Sequence, residues 1–249
     1  INNNNDKDDD KNHNTNNNNN KFKNKAYYIA DNLDRYNKYY NENPGMDLNL
    51  IISLVNVNAD YKFYTNVVNT DLDKDLLILV NKYNKLPSNY EPKNLVSLGD
   101  YGIGKMIDVA KEAFVQMAED IKKEGLYIKS ISSYRSYSSQ ESIYNRYVKI
   151  DGVEITDTYS ARPGHSEHQT GLTVDINMVE DEFANTKEAK WLANNAHKYG
   201  FILRYPKNKE HITGYSYEPW HFRYVGKEVA KFIYENDITF DEYYAYYLK

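Results

Sequence analysis

Residues Ser160–Met178 read SARPGHSEHQTGLTVDINM, and the last eight of them, GLTVDINM, decide the fold. From Leu172 onward apolar and polar residues alternate, with Leu172, Val174 and Ile176 on one side and Thr173, Asp175 and Asn177 on the other. A period of two marks a strand with one buried face. The polar face is the unusual part: it carries a carboxylate, Asp175, just downstream of His165 and His168, two of the chain's six histidines.

Working outward, LYIKSISSYRS (126–136) alternates in the same way, and FILRY (201–205) and PWHFRYVG (219–226) read as further strands. Between and around them lie helical patterns. GKMIDVAKEAFVQMAEDIKKEG spaces Ile107, Ala110, Phe114, Met117 and Ile121 by three and four residues, with Gly125 as its stop. A helix capped by Ser138 or Ser139 is expected through Asn145, followed by a polar loop to Pro163. TKEAKWLANNAHKYG makes a helix ended by Gly200, and EVAKFIYEN with DEYYAYYL makes the closing pair. DLLILVNKYNKLPSNYEP reads as a short buried strand and a loop punctuated by proline. Helices and short strands without regular βαβ alternation indicate an α+β fold, a mainly antiparallel central sheet flanked by helices.

The N-terminal part differs in composition. Residues 1–24 are almost purely Asn, Asp and Lys, and ordering them would cost entropy with no offsetting burial. They are expected to be a disordered tail, in which His13 is merely solvated. Residues 25–73 are rich in Tyr and Asn, with helical spacing through Leu48, Ile51, Ile52 and Val55, and are expected to form a small helical extension on a main body at 74–249.

Composition restricts the chemistry. The chain of 249 residues has no cysteine, so disulfides, thiolate nucleophiles and sulfur-ligated zinc are excluded, leaving nitrogen and oxygen as metal donors. Lys and Arg number 31 against 36 Asp and Glu, and no basic block occurs, which argues against nucleic acid as a partner. No apolar run is long enough to span a membrane. The chain opens on Ile1 rather than Met, so an upstream targeting segment is expected to have been removed. Oligomeric state is not legible.

A catalytic zinc site takes three protein ligands and leaves a fourth position to water. His168, Asp175 and His221 offer that set: Gly171 lets the chain turn between the first two, and His221 arrives from a neighbouring strand. Pro219, which has no N–H for a ladder, puts Glu218 in the turn before that strand, from where it can serve as general base. On spacing alone, a metal site and an ordinary polar loop stand equally open. His197 and His211 read as structural or solvated, and His165 as a loop residue lining the cleft. No Ser-x-x-Lys and no Gly-x-Ser-x-Gly occurs, which disfavours a serine peptidase.

SSYRSYSSQ, PGHSEHQTGLTVDI and YEPWHFRYVG, in that order, resemble the VanY-type D-alanyl-D-alanine carboxypeptidases, zinc peptidases of the superfamily that also holds lysostaphin-like enzymes and the hedgehog signalling domain. The likeness runs over roughly 76–226. It implies Zn²⁺ in a cleft over the sheet, held by His168, Asp175 and His221, with Glu218 as the base. It implies Arg135 as the anchor for the substrate's terminal carboxylate, and Gln140 and Ser166 as further contacts to the peptide terminus. The implied substrate is a peptidoglycan stem peptide or its precursor, and the implied place is outside the cytoplasm, secreted or associated with the envelope. Thr173 stands where many relatives have Ala, which bears on packing more than on chemistry. The motif is equally compatible with an L,D-carboxypeptidase acting on tetrapeptide stems; Arg135 argues against an endopeptidase and Glu218 against a noncatalytic binding module.

Overall fold

The computed structural model describes residues 20–249. Most of the tail expected at 1–24, with His13, lies outside the described residues. Helices α1 (Leu33–Glu42) and α2 (Leu48–Asn56) come first, the second capped by Asp47, whose carboxylate accepts the N–H groups of Asn49 and Leu50. Ile51, Ile52 and Val55 of α2 close with Phe22 and Tyr36 into a small core. Leu54 and Val57 turn the other way, onto Ile212 and Ala245.

Strand β1 (Val68–Asn69) pairs in parallel with β2 (Asn84–Lys85). The segment expected as a strand around Leu76–Val80 is not one. Ile78, Leu79 and Val80 are buried, but the carbonyls of Leu76 and Ile78 accept from Arg223 Nη2, and that of Leu79 from Thr70 Oγ1. Apolar character foretold the burial correctly, while side-chain donors replaced the ladder that would have made a strand.

A hairpin of β3 (Leu95–Ser97) and β4 (Lys105–Ile107) leads into α3 (Asp108–Lys123), which ends as expected just before Gly125, at φ 76°. Next come β5 (Ser130–Ser132) and α4 (Tyr137–Tyr159), which departs from expectation at both ends. Its cap is Ser136, whose hydroxyl accepts from Ser139 N–H, and it continues to Tyr159 past a break at Gly152. The expected polar loop is helical because its far end is pinned: Asp157 accepts Tyr144 Oη at 2.7 Å and pairs with Arg162, also at 2.7 Å.

Strand β6 (Thr173–Ile176), α5 (Lys187–Asn195), β7 (Phe201–Leu203), the single turn α6 (Glu210–Thr213), β8 (His221–Tyr224), α7 (Lys227–Asn236) and α8 (Phe240–Tyr247) complete the chain. The main sheet runs β5-β6-β8-β7, antiparallel throughout. This is the α+β architecture the sequence implies.

Register sets the two faces of that sheet. Val174 lies opposite Phe222, and both pack with Phe201 against Phe114, Met117 and Ile121 of α3 and Leu192 of α5. Each such side chain contributes about 1.5–3 kcal/mol by leaving water. One residue along, Asp175 lies opposite His221 on the other face, so the alternation that buries Val174 also aims Asp175 into a cleft. Among the described residues no helix is long and apolar enough to cross a membrane.

Candidate metal centre

Asp175 and His221 meet because β6 and β8 pair in that register. His168 joins them from a 3₁₀ turn at Glu167–Thr170, started by Ser166, whose hydroxyl accepts from His168 N–H, and ended by Gly171 at φ 69°. A Cβ at Gly171 would lie 2.8 Å from Leu95 Cδ2, so backbone angle and space both demand glycine. The turn is stitched to the end of β5: Arg135 N–H donates to His168 O at 3.0 Å, and His168 Nδ1 donates to Ser133 O at 2.7 Å.

With Nδ1 so engaged, His168 presents Nε2, 3.2 Å from Asp175 Oδ2. His221 presents its other nitrogen, Nδ1, 3.2 Å from Asp175 Oδ1 and 3.4 Å from Glu218 Oε2. One donor atom from each of His168, Asp175 and His221 lies within 4.8 Å of the others, and all three residues are buried. Among the described residues Asp175 Oδ1 is buried without a hydrogen-bond donor. Two imidazole nitrogens and a carboxylate oxygen, converging on an open side, fit Zn²⁺ with a fourth position left over.

The electrostatics point the same way. Burial opposes the charge on Asp175, yet His168 and His221 hold its pKa well below the carboxylate range. Burial likewise opposes an imidazolium at His221, but the carboxylates of Asp175 and Glu167 bring its pKa up to about 9. His168 is lowered, chiefly by burial. A divalent cation bound here would take the place of the proton that the raised pKa of His221 favours.

Glu218 sits in the turn before β8, where its N–H donates to Tyr205 O at 3.1 Å and its carbonyl accepts His221 N–H at 3.2 Å. Burial pushes its carboxyl up to about 7, with His221 opposing and Asp175 reinforcing the rise. Arg135 lines the same cleft of about 740 Å³, together with Ser166, Tyr147, Tyr217 and Trp220. Its Nη1 donates to Gln140 Oε1 at 2.7 Å and its Nη2 to Ser132 Oγ at 2.9 Å. Each terminal nitrogen keeps a second N–H beyond those two bonds. Gln140 is 2% exposed, and its amide spans Arg135 and Ala161 O. That places it behind the arginine.

His165, expected to line the cleft, does not. Its Nδ1 donates to Asn81 O at 2.7 Å and its ring packs edge-on to Tyr64. Pro163 and Gly164 turn the chain inward here, and Leu86 N–H bonds to Gly164 O. Sequence reasoning also missed a buried ion group behind His221. Glu167 Oε1 accepts Arg204 Nε at 2.8 Å and Arg223 Nη1 at 3.0 Å, and Arg204 Nη1 reaches Asp241 Oδ2 at 2.6 Å. An arginine inside each of the apolar stretches FILRY and HFRYV was the available signal.

A family model described as VanY, D-alanyl-D-alanine carboxypeptidase, matches residues 104–227. YodJ of Bacillus subtilis (strain 168) is 44% identical over 184 residues, which cover 69% of this chain and 67% of YodJ. The D-alanyl-D-alanine carboxypeptidase of Enterococcus faecalis (strain ATCC 700802 / V583) is 36% identical over 67% of this chain, a match spanning 65% of that protein. The bifunctional D-Ala-D-Ala dipeptidase and D-Ala-D-Ala carboxypeptidase VanXYC of Enterococcus gallinarum is 36% identical over 68% of this chain and 94% of its own length. Among solved structures, the LD-carboxypeptidase LdcB aligns with TM-score 0.69 and 41% identity over 73% of this chain and 91% of LdcB. A mutant of the vancomycin-resistance D,D-pentapeptidase VanY from a VanB-type cassette, in complex with Zn(II), aligns with TM-score 0.58 and 35% identity over 67% of this chain and 97% of that one.

Proposed function

This chain belongs to the VanY family of D-alanyl-D-alanine carboxypeptidases, and from that premise we propose that it is a zinc-dependent D,D-carboxypeptidase that removes the C-terminal D-alanine from peptidoglycan stem peptides or their precursors. One observation carries the reading: a half-buried guanidinium, Arg135, shares a cleft with the His168, Asp175 and His221 cluster and with Glu218. An exopeptidase needs both parts, a hydrolytic centre and an anchor for a free chain end. A guanidinium suits the anchor because it binds a carboxylate through two parallel charge-assisted bonds.

Zn²⁺ held by His168, Asp175 and His221 supplies a Lewis acid for the scissile carbonyl and an acidified water. Glu218 takes the proton from the attacking water and returns it to the leaving amine; its burial raises its basicity for the first of these steps. Arg135, braced by Gln140 and Ser132, holds the terminal carboxylate in register with the bond to be cut. Ser166 lines the cleft beside them as a contact to the peptide terminus. On this reading 74–249 is the catalytic unit, 25–73 an extension packed on its C-terminal helices, and the place of action is outside the cytoplasm.

The likeness to LdcB favours a second reading, an L,D-carboxypeptidase trimming tetrapeptide stems. Mass spectrometry of a pentapeptide ending in D-Ala-D-Ala and of a tetrapeptide ending in D-Ala separates the two. Loss of one alanine from the pentapeptide alone supports the D,D reading, and loss from the tetrapeptide moves the assignment to L,D. Chelation should abolish either activity and zinc should restore it; cleavage of neither peptide by the zinc-loaded protein sinks both readings.

A further inference from the structure

The His221 ring has two ends, and only one of them faces the cleft. Nδ1 points to Asp175 and Glu218, whereas Nε2 points inward and lies 3.7 Å from Glu167 Oε2. Both inward atoms are buried, and neither has a hydrogen-bond partner among the described residues. An imidazole that gives one nitrogen to a metal carries its proton on the other, and that N–H needs an acceptor. Glu167 Oε2 is positioned to be it.

Glu167 itself is held from behind. Its other oxygen, Oε1, accepts from Arg204 Nε and Arg223 Nη1. Arg223 is in turn fixed by the carbonyls of Leu76, Ile78 and Tyr224, and Arg204 by Asp241. Asp241 also accepts Asn81 Nδ2 at 2.8 Å. The carboxylate therefore has one satisfied oxygen locked in place and one free oxygen aimed at a ligand ring. The contrast with His168 is chemical: that ring leans on a neutral backbone carbonyl, Ser133 O, whereas His221 leans on an anion, which makes its ligating nitrogen the more basic.

We propose that Glu167 is a positioning residue for the metal centre, accepting the Nε2–H of His221 so that Nδ1 is the nitrogen offered to the metal. The inference rests on the zinc reading above and deepens it. Because Glu167 directly precedes His168 in one 3₁₀ turn, that turn supplies one ligand and orients a second.

Glu167→Gln in the full chain is the sharpest test. The amide keeps the shape but cannot serve both sides: with its oxygen toward the arginines its NH₂ meets the His221 N–H, and with the amide flipped its NH₂ meets two guanidinium donors. Zinc affinity, read without substrate by competition with a chromogenic chelator, should fall about 10- to 100-fold. At saturating zinc, kcat should fall while KM for the peptide stays, since Arg135 is untouched. Asp241→Asn disturbs the same ion group beyond Arg204, and should lower the unfolding temperature with zinc affinity within about threefold of wild type, well short of that loss. Affinity unchanged in Glu167→Gln, or lowered equally in both variants, overturns the proposal. Should Glu167→Gln fail to fold, ¹⁵N NMR of the histidines in the zinc-loaded wild type decides: Nδ1-bound, Nε2-protonated His221 supports it and the reverse overturns it. A wild-type chain that takes up no zinc overturns the functional reading as well, whereas equal binding by wild type and Glu167→Gln overturns this inference alone.

Discussion

On the inner side of the His221 ring, Glu167, Arg204, Arg223 and Asp241 form a sealed group of two anions and two cations; on the outer side, Asp175, Glu218 and Arg135 set two carboxylates against one guanidinium around a cleft of about 740 Å³. Among the described residues the sealed group leaves two buried polar atoms idle, Arg204 Nη2 and the Glu167 Oε2 that faces His221. The open group keeps an idle carboxylate oxygen, Asp175 Oδ1, and a carboxyl that burial has pushed up to about 7, Glu218. Balanced buried charge stays where it is put, and unbalanced charge beside a cleft is ready for a cation or a proton. The difference separates scaffold from chemistry without reference to any relative.

The largest expected effect is on the open side. Glu218→Ala should lower kcat by about 10²- to 10⁴-fold, the contribution of a positioned general base, with zinc content and unfolding temperature near wild type. Normal turnover with zinc bound would remove Glu218 from the reaction. On the sealed side the effect should appear in stability. Arg204→Met leaves Glu167 and Asp241 short of a cation, and breaking such a buried group costs about 3–5 kcal/mol. A urea midpoint close to wild type would mean that this group is not the scaffold its geometry suggests.

The two sides were unequally legible in the sequence. The alternation at Leu172–Asn177 and the strand around His221 are local patterns, so the face carrying Asp175 and the company it keeps could be read from spacing and motif. The sealed group could not, because Glu167 meets Arg223 across 56 positions and Arg204 meets Asp241 across 37, with no periodicity joining them. The same limit explains Leu76–Val80, where Arg223, 147 and 145 positions from the carbonyls of Leu76 and Ile78, decides what the local backbone does; α4 is a shorter-range case, pinned through Asp157 by Arg162 five positions on and Tyr144 thirteen before. Gln140 teaches a finer point: the motif draws attention to it, but only coordinates show its amide spent on Arg135 and Ala161.

Arg135 joins the two regimes, since it is braced like scaffold yet faces the cleft. Arg135→Lys keeps the charge but cannot reach Gln140, Ser132 and a carboxylate together, so kcat/KM for a peptide with a free C-terminus should drop about 10- to 100-fold. An amidated peptide, already a poor substrate, should change little. Equal losses on both peptides would discard the anchor.

His165 sharpens the comparison from a third side, as a buried titratable group with no carboxylate partner among the described residues. Burial, opposed only in part by the bond to Asn81 O, and the nearby charges of Lys85, Arg162 and Lys82 lower its pKa to about 4. The folded pKa is thus below that of the unfolded chain, near 6.5, and between the two values the unfolded state binds more protons. Stability is fully present above about 6.5 and is lost as pH falls through the window toward 4, by about 2 kcal/mol between pH 7 and pH 5. His165→Asn can keep a donor to the Asn81 carbonyl without titrating, so its urea-unfolding free energy should fall less over that interval by about this amount. Parallel losses in the two proteins would show that the ring finds a counter-charge on protonation; a shallower slope in the variant would show that burial without a sealed-in anion, which the arginines of the ion group have, keeps His165 neutral.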